Sequence, residues 1–145
     1  MKMSSNNLKE PVQSWRRAGR RVTKARLAVL QAVAEAGCGA DARQVHRLAE
    51  RVYPKIGLVT VYRTLELLVR EGWVDRWYEG GVARYELARP HHHHHLVCLR
   101  CRSVVPWEDC PVDLPPGTKV GAGFLVTAHR VEILGYCPAC QEVAG

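Results

Sequence analysis

Two cysteine pairs, Cys98-Leu-Arg-Cys101 and Cys137-Pro-Ala-Cys140, constrain this chain more than any other feature. Two such pairs supply four thiolates to one tetrahedral ion, and a site with four protein ligands and no open position is structural rather than catalytic. The same spacing is a poor disulfide framework. A thioredoxin-like redox pair would need one motif at a helix start in a βαβ context, and none is visible. The C-terminal part is therefore expected to be tied together by Zn2+. The other two cysteines, Cys38 and Cys110, read as small buried hydrophobes or idle thiols.

A chain of 145 residues, 47% hydrophobic, can bury one ordinary core or two very small ones that lean on metal or a partner. No run approaches the ~20 apolar residues of a membrane span. The polar start, Met1 to Glu10, lacks the apolar core of a signal peptide, so a cytoplasmic protein is expected. Charge divides unevenly: residues 1–90 carry 17 Lys and Arg against 9 Asp and Glu, and residues 91–145 carry 4 against 5. A basic segment joined to a near-neutral one points to a polyanion-binding module attached to something else. The alternative is an ordinary solvated surface.

Helical periodicity with start and stop signals predicts helices over Pro11 to Ala18, from the N-cap Thr23 to Ala36, from the cap Asp41 to Pro54, and over about Thr60 to Glu71. Their expected apolar faces are Leu27, Leu30, Val33 and Ala34; then Val45, Leu48, Ala49 and Val52; then Val61, Leu65 and Leu68. After Gly72 the period changes. Trp73 to Tyr78 and Val82 to Leu87 read as strands joined by a Glu79-Gly80-Gly81 turn. Helices running into a hairpin make a winged helix-turn-helix, in which the helix before the wing enters the major groove; a small α+β domain without a DNA role is the alternative. Short strands are expected at Leu96 to Leu99, Val104 to Trp107, Phe124 to Thr127 and Val131 to Leu134. The expected division is a winged helix-turn-helix domain over 1–89 and a smaller α/β domain with the structural four-cysteine zinc site over 90–145, an α+β fold.

At the entry of the fourth helix stands Gly57-Leu-Val-Thr-Val-Tyr-Arg63, where Thr60, Tyr62 and Arg63 offer hydroxyls and a guanidinium for phosphate or base-edge contacts. Arg16, Arg17, Arg20 and Arg21 flank Gly19 and could follow a backbone or reach a minor groove. His91 to His95 form an uninterrupted run leading into the first cysteine pair. Along an extended segment His93 and His95 face one side, His92 and His94 the other, so one run could serve two metal sites. Imidazole does not choose among Zn, Fe, Ni and Cu. A solvated, metal-scavenging loop is the bland alternative.

The segments Ala18 to Arg26, Gly57 to Arg63, His91 to Cys101 and His129 to Cys140 resemble the ferric uptake regulator family in order and spacing, over about residues 15 to 140. That resemblance implies a homodimer with N-terminal winged helices and a C-terminal α/β dimerisation domain. It also implies binding to a palindromic double-stranded DNA operator when a regulatory divalent metal (Zn2+, Fe2+ or Mn2+) is present. By resemblance, Cys98, Cys101, Cys137 and Cys140 are the structural zinc ligands. Glu86, His93 and His95 match a regulatory site at the hinge, and His92, His94, Asp113 and His129 a further site in the dimerisation domain. Tyr62 and Arg63 match recognition-helix contacts, and Arg21 a residue near the minor groove.

The chain also departs from the family pattern. Where a histidine is usual before the third helix, it reads Gly37-Cys38-Gly39, so Cys38 either substitutes or the site lacks that ligand. Pro106 stands where a carboxylate is usual. Asp113-Leu-Pro-Pro-Gly117 and Gly121-Ala-Gly123 are poor material for the helix that usually precedes the last strands. The resemblance leans to the zinc-uptake branch, with the peroxide-sensing and iron-uptake branches as alternatives. A zinc enzyme is disfavoured because the thiolate site is closed and no His-Glu-x-x-His or nucleophile elbow is present. A metal buffer would leave the basic half unexplained.

Overall fold

The computed structural model describes residues 8–89 and 92–144. Met1 to Asn7, Pro90, Gly145 and the first histidine of the run, His91, lie outside the described residues. The chain divides into two compact units between Ala88 and Arg89.

The first unit has four helices, α1 (Lys9–Arg17), α2 (Lys24–Ala36), α3 (Ala42–Val52) and α4 (Leu58–Arg70), then a hairpin of β1 (Val74–Glu79) and β2 (Val82–Leu87). Local chemistry sets the starts. Thr23 Oγ1 accepts from the Arg26 N–H at 3.1 Å. Asp41 and Gln44 form a reciprocal capping box, both bonds 2.8 Å, which satisfies two N–H groups the first turn leaves unpaired. Gly80 and Gly81 both have positive φ, the requirement of a two-residue turn whose twist suits a hairpin. Glu79 therefore pairs with Val82 inside the ladder instead of belonging to the turn.

The predicted stripe Val61, Leu65 and Leu68 is fully buried. On α2 the buried side is Ala28, Val29, Leu30, Ala32 and Val33, broader than the expected face, because α3, α4 and β2 all pack on it. Val52 is exposed, since it closes α3 beyond the packed part. One apolar cluster, from Trp15 to Leu87, joins all these elements.

The second unit contains β3 (His94–Cys98), β4 (Val104–Trp107), β5 (Lys119–Val120), β6 (Phe124–Leu125), β7 (Glu132–Gly135) and α5 (Pro138–Ala144). β3 is central, antiparallel to β4 and parallel to β7, and β5–β6 is a separate hairpin. Strand β3 begins at the histidines, earlier than Leu96. No helix lies between Trp107 and Glu132, as the glycine- and proline-rich composition foretells. The strand β5 and the helix α5 are additions to the sequence expectation.

Candidate metal centres and nucleic-acid interface

The four paired cysteines converge in the second unit. Cys98 ends β3, and the chain reverses tightly after it: the Arg102 N–H reaches Cys98 O at 3.0 Å, and Ser103 O accepts from the Cys98 N–H at 3.0 Å. Arg102 takes φ +63 to close that turn, a left-handed conformation that non-glycine residues seldom adopt. Cys137 opens α5, its carbonyl accepting from Cys140 N–H and Gln141 N–H. A bond from Leu99 N–H to Gly135 O, 2.8 Å, ties the two turns together.

All four sulfurs lie within 4.8 Å of one another. Cys101 Sγ and Cys137 Sγ are 3.8 Å apart, the separation of about 3.8 Å that ~2.3 Å bonds to a tetrahedral ion produce. The backbone N–H groups of Cys137 and Cys101 hold the Cys98 thiol down at about 6. The hydrogen bond with Cys137, together with burial, pushes Cys140 up to about 12. Without a cation the cluster shares protons unequally, whereas a divalent ion at its centre lets every sulfur ionise. The donor set fits structural Zn2+.

The histidines alternate. His93 and His95 pair ring to ring at 5.0 Å. His92 meets His94 at 4.4 Å and His129 at 4.5 Å. Around the second group a fourth donor appears, and it is Cys110: its sulfur lies 3.1 Å from His129 Nε2, 3.2 Å from His94 Nε2 and 3.7 Å from His92 Nε2. Asp113, expected with these three histidines, lines the same cleft as His92, Cys110 and His129. Asp113 is exposed and outside the donor cluster, because the chain leaving β4 turns back past β3 at Cys110, three residues before it. Cys110 is accordingly exposed and clustered, not a buried hydrophobe. The strand pairing signals this: Trp107 lies opposite His94, so the next residues return over the histidine face.

In the first unit Cys38 and Glu86 form a pair, the thiol donating to Oε2 at 2.7 Å. Glu86 is buried near the end of β2. Cys38 is held beside it by an isolated bridge, Ala40 to Tyr85, that attaches the α2–α3 loop to the wing.

On the basic unit α4 turns Thr60, Tyr62 and Arg63 outward, opposite its buried stripe. Val59 is 63% exposed on the same side; the sequence reading passed over it because an isolated valine at a helix start carries no charge or hydroxyl. Arg21 is exposed, its carbonyl accepting from Arg26 Nη1 at 2.6 Å. Arg20 instead pairs with Glu71, which also accepts from Trp15 Nε1 at 2.7 Å. That arginine belongs to the joint between α1 and the end of α4.

The sequence model of the ferric uptake regulator family matches residues 17–134. The chain belongs to this family. A ferric uptake regulation protein of Legionella pneumophila is 35% identical over 141 residues, covering 91% of this chain and 99% of the relative. The solved ferric uptake regulator of Vibrio cholerae is 29% identical, with a TM-score of 0.66 over 86% of this chain and 98% of that one. The Helicobacter pylori regulator superposes with a TM-score of 0.73 over 97% and 95%, at 18% identity a likeness of fold. As a ferric uptake regulator family member, this protein is a metal-responsive transcriptional repressor and not an enzyme. Among the described residues no helix is long and apolar enough to cross a membrane.

Proposed function

We propose that this ferric uptake regulator family protein represses transcription as a cytoplasmic homodimer on a palindromic operator, with Zn2+ as its regulatory ion. The pairing of Cys38 with Glu86 at 2.7 Å carries the reading. By the family resemblance His93 and His95 join them as ligands of the regulatory metal, whose binding would set the spacing of the two winged helices on DNA. Thiolate and imidazole donors favour zinc over manganese or iron(II), which prefer more oxygen. Cys98, Cys101, Cys137 and Cys140 hold a second, structural zinc.

Tyr62, Arg63 and Thr60 would meet the major groove and Arg21 the backbone or minor groove, on the unit that carries the excess positive charge. The second copy is expected on the sheet face where Leu96 lies between Val105 and Ile133, an apolar row whose outer members are exposed. A repressor of this kind works where the chromosome is, which supports the cytoplasmic assignment.

The test is operator binding by the full chain with Zn2+, Mn2+ or Fe2+, repeated on Cys38→Ala and His93→Ala. Zinc should give the strongest binding, and each variant should lose the metal dependence while keeping dimer and structural zinc. Equal binding with and without metal, or unchanged coupling in both variants, would overturn the hinge assignment. Coupling must also be reciprocal, operator DNA tightening metal by the factor by which metal tightens DNA.

A further inference from the structure

We infer that Val59 reads a thymine: its methyl groups pack on the C5 methyl of one thymine base in the major groove, beside the bases that Tyr62 and Arg63 meet. The inference rests on the reading of α4 as the recognition helix and names a base that this helix selects. The residues of α4 that face solvent are Val59, Thr60, Tyr62, Arg63, Glu66 and Arg70. All but the first carry a polar atom at the end of the side chain. Val59, 63% exposed, has none, so neither a phosphate nor the hydrogen-bonding edge of a base can engage it.

Position separates this valine from the solitary exposed apolar side chains that are ordinary on a protein surface. It stands in the first turn of α4, three residues before Tyr62 and four before Arg63, and residues at those spacings share one helix face. The N-terminal residues of a recognition helix are the ones that reach base edges. Nothing crowds the approach: Gly57, the N-cap, is exposed, and a Cβ placed on it would meet no atom within 4 Å. One turn further on, Glu66 continues the same stripe, and its carboxylate is bonded to Arg76 of the wing. That pairing neutralises an acid that would otherwise repel phosphates. The stripe thus presents an apolar start, then a phenol and a guanidinium, then an ion pair.

The chemistry names the base. Among the four bases thymine alone presents a methyl group in the major groove, and apolar side chains are the groups that recognise it. In a helix the branched Cβ of valine holds one strongly preferred χ1 rotamer, so the contact orders little that is not already ordered. Three to four residues of helix rise roughly 4.5–6 Å, against roughly 3.4 Å per base pair. The thymine should therefore lie about one to two base pairs from the base that Arg63 reads. Covering a group the size of one methyl is worth about fourfold in affinity.

Deoxyuridine tests the assignment, because it lacks the thymine methyl and keeps every hydrogen-bonding atom. Duplexes selected from a random-sequence pool by the full chain with Zn2+ are remade with deoxyuridine at one thymine at a time, and titrated with wild type, Val59→Ala and Arg63→Ala. Alanine is the better helix former and the position is exposed, so Val59→Ala should keep the fold, which thermal unfolding checks. At one thymine in each half-site the wild type should lose about fourfold on deoxyuridine, whereas Val59→Ala should bind both duplexes equally. Cytosine and 5-methylcytosine compared at that position should show the same methyl preference in the wild type and none in Val59→Ala. An equal deoxyuridine penalty in Val59→Ala and wild type would overturn the proposal, since Tyr62 or the shape of the duplex would then account for it. So would a wild type indifferent to deoxyuridine at every thymine. Arg63→Ala shows which reading has failed: if it too leaves base preference unchanged, α4 is not the recognition helix, and if it relaxes the preference at one position, the failure is confined to Val59.

Discussion

The two units are held together by different means. The apolar cluster of the first runs through four helices and the wing, with Val33, Val45, Val61, Leu65 and Leu68 at zero exposure. Among the described residues its members run from Trp15 to Leu87. In the second unit the buried residues are few, and His94, His95 and Cys98 are prominent among them. Meanwhile Leu99, Val105, Phe124, Leu125, Ile133, Leu134 and Tyr136 remain exposed. A unit this small is marginal on its own apolar burial, so a structural metal and a partner covering those side chains would add to its order. The first unit thus has an apolar core of its own, whereas the second leaves much of its apolar surface exposed.

The sharpest way to break this contrast is to remove the structural ion. Zinc in a four-thiolate site contributes apparent binding free energies of about 10–16 kcal/mol, which act as folding free energy. Cys98→Ser, or strong chelation, is therefore expected to release one zinc per chain, unfold residues beyond Arg89 and dissociate the dimer, while α1 to β2 stay protected from hydrogen exchange. A second unit that remains cooperatively folded without zinc would end the comparison.

The converse substitution lies in the first unit. Leu65→Ala removes a fully buried side chain from the centre of the helical core and should cost about 2–5 kcal/mol. Denaturant unfolding should show that loss in the first unit alone, with zinc content unchanged. Equal destabilisation of both units would mean that they unfold as one.

How well the sequence could be read follows the same divide. Where apolar periodicity and caps act together, as from Thr23 to Ala36 and from Asp41 onward, elements were legible nearly to the residue, because local chemistry and packing agree. In the second unit little packing enforces a period. The two-residue strand β5 and the helix α5, whose Cys-Pro-Ala-Cys start looks like a metal turn, left weaker traces. The cysteine pairs and the alternation of His92 to His95 were readable because ligand spacing and strand geometry are local facts. Cys110 was not, because only the return of the chain after Trp107 brings it to His94; resemblance had put the carboxylate of Asp113 there.

Function gives a third way to sharpen the contrast. Arg63 is exposed on α4 and contributes to no core, so Arg63→Ala should leave the stability of both units unchanged. Operator affinity should fall by about 1–3 kcal/mol if the guanidinium reads a base. Arg21→Ala should reduce the slope of log affinity against log salt by about one contact. Gel-shift titrations over a range of salt separate the two, and a Cys110 variant should change neither. Affinity that is independent of salt would remove the winged helix from the operator.

The smallest effect expected is at Thr23, where fold and DNA contact share one residue. Its hydroxyl caps α2 through the Arg26 N–H, and the same Arg26 reaches back through Nη1 to the carbonyl of Arg21. Removing the cap by Thr23→Ala should cost about 1 kcal/mol of first-unit stability. Loosening the first turn of α2 also frees Arg26, and with it the backbone that presents Arg21. The variant should therefore show part of the reduced salt slope of Arg21→Ala, although Thr23 itself carries no charge. Thr23→Ser keeps the acceptor and should restore both properties. If the alanine variant loses stability but keeps the full salt slope, Arg21 is placed by its own contacts and the link from cap to DNA is wrong. Should the serine variant fail to restore stability, the methyl group of Thr23 matters more than its hydroxyl.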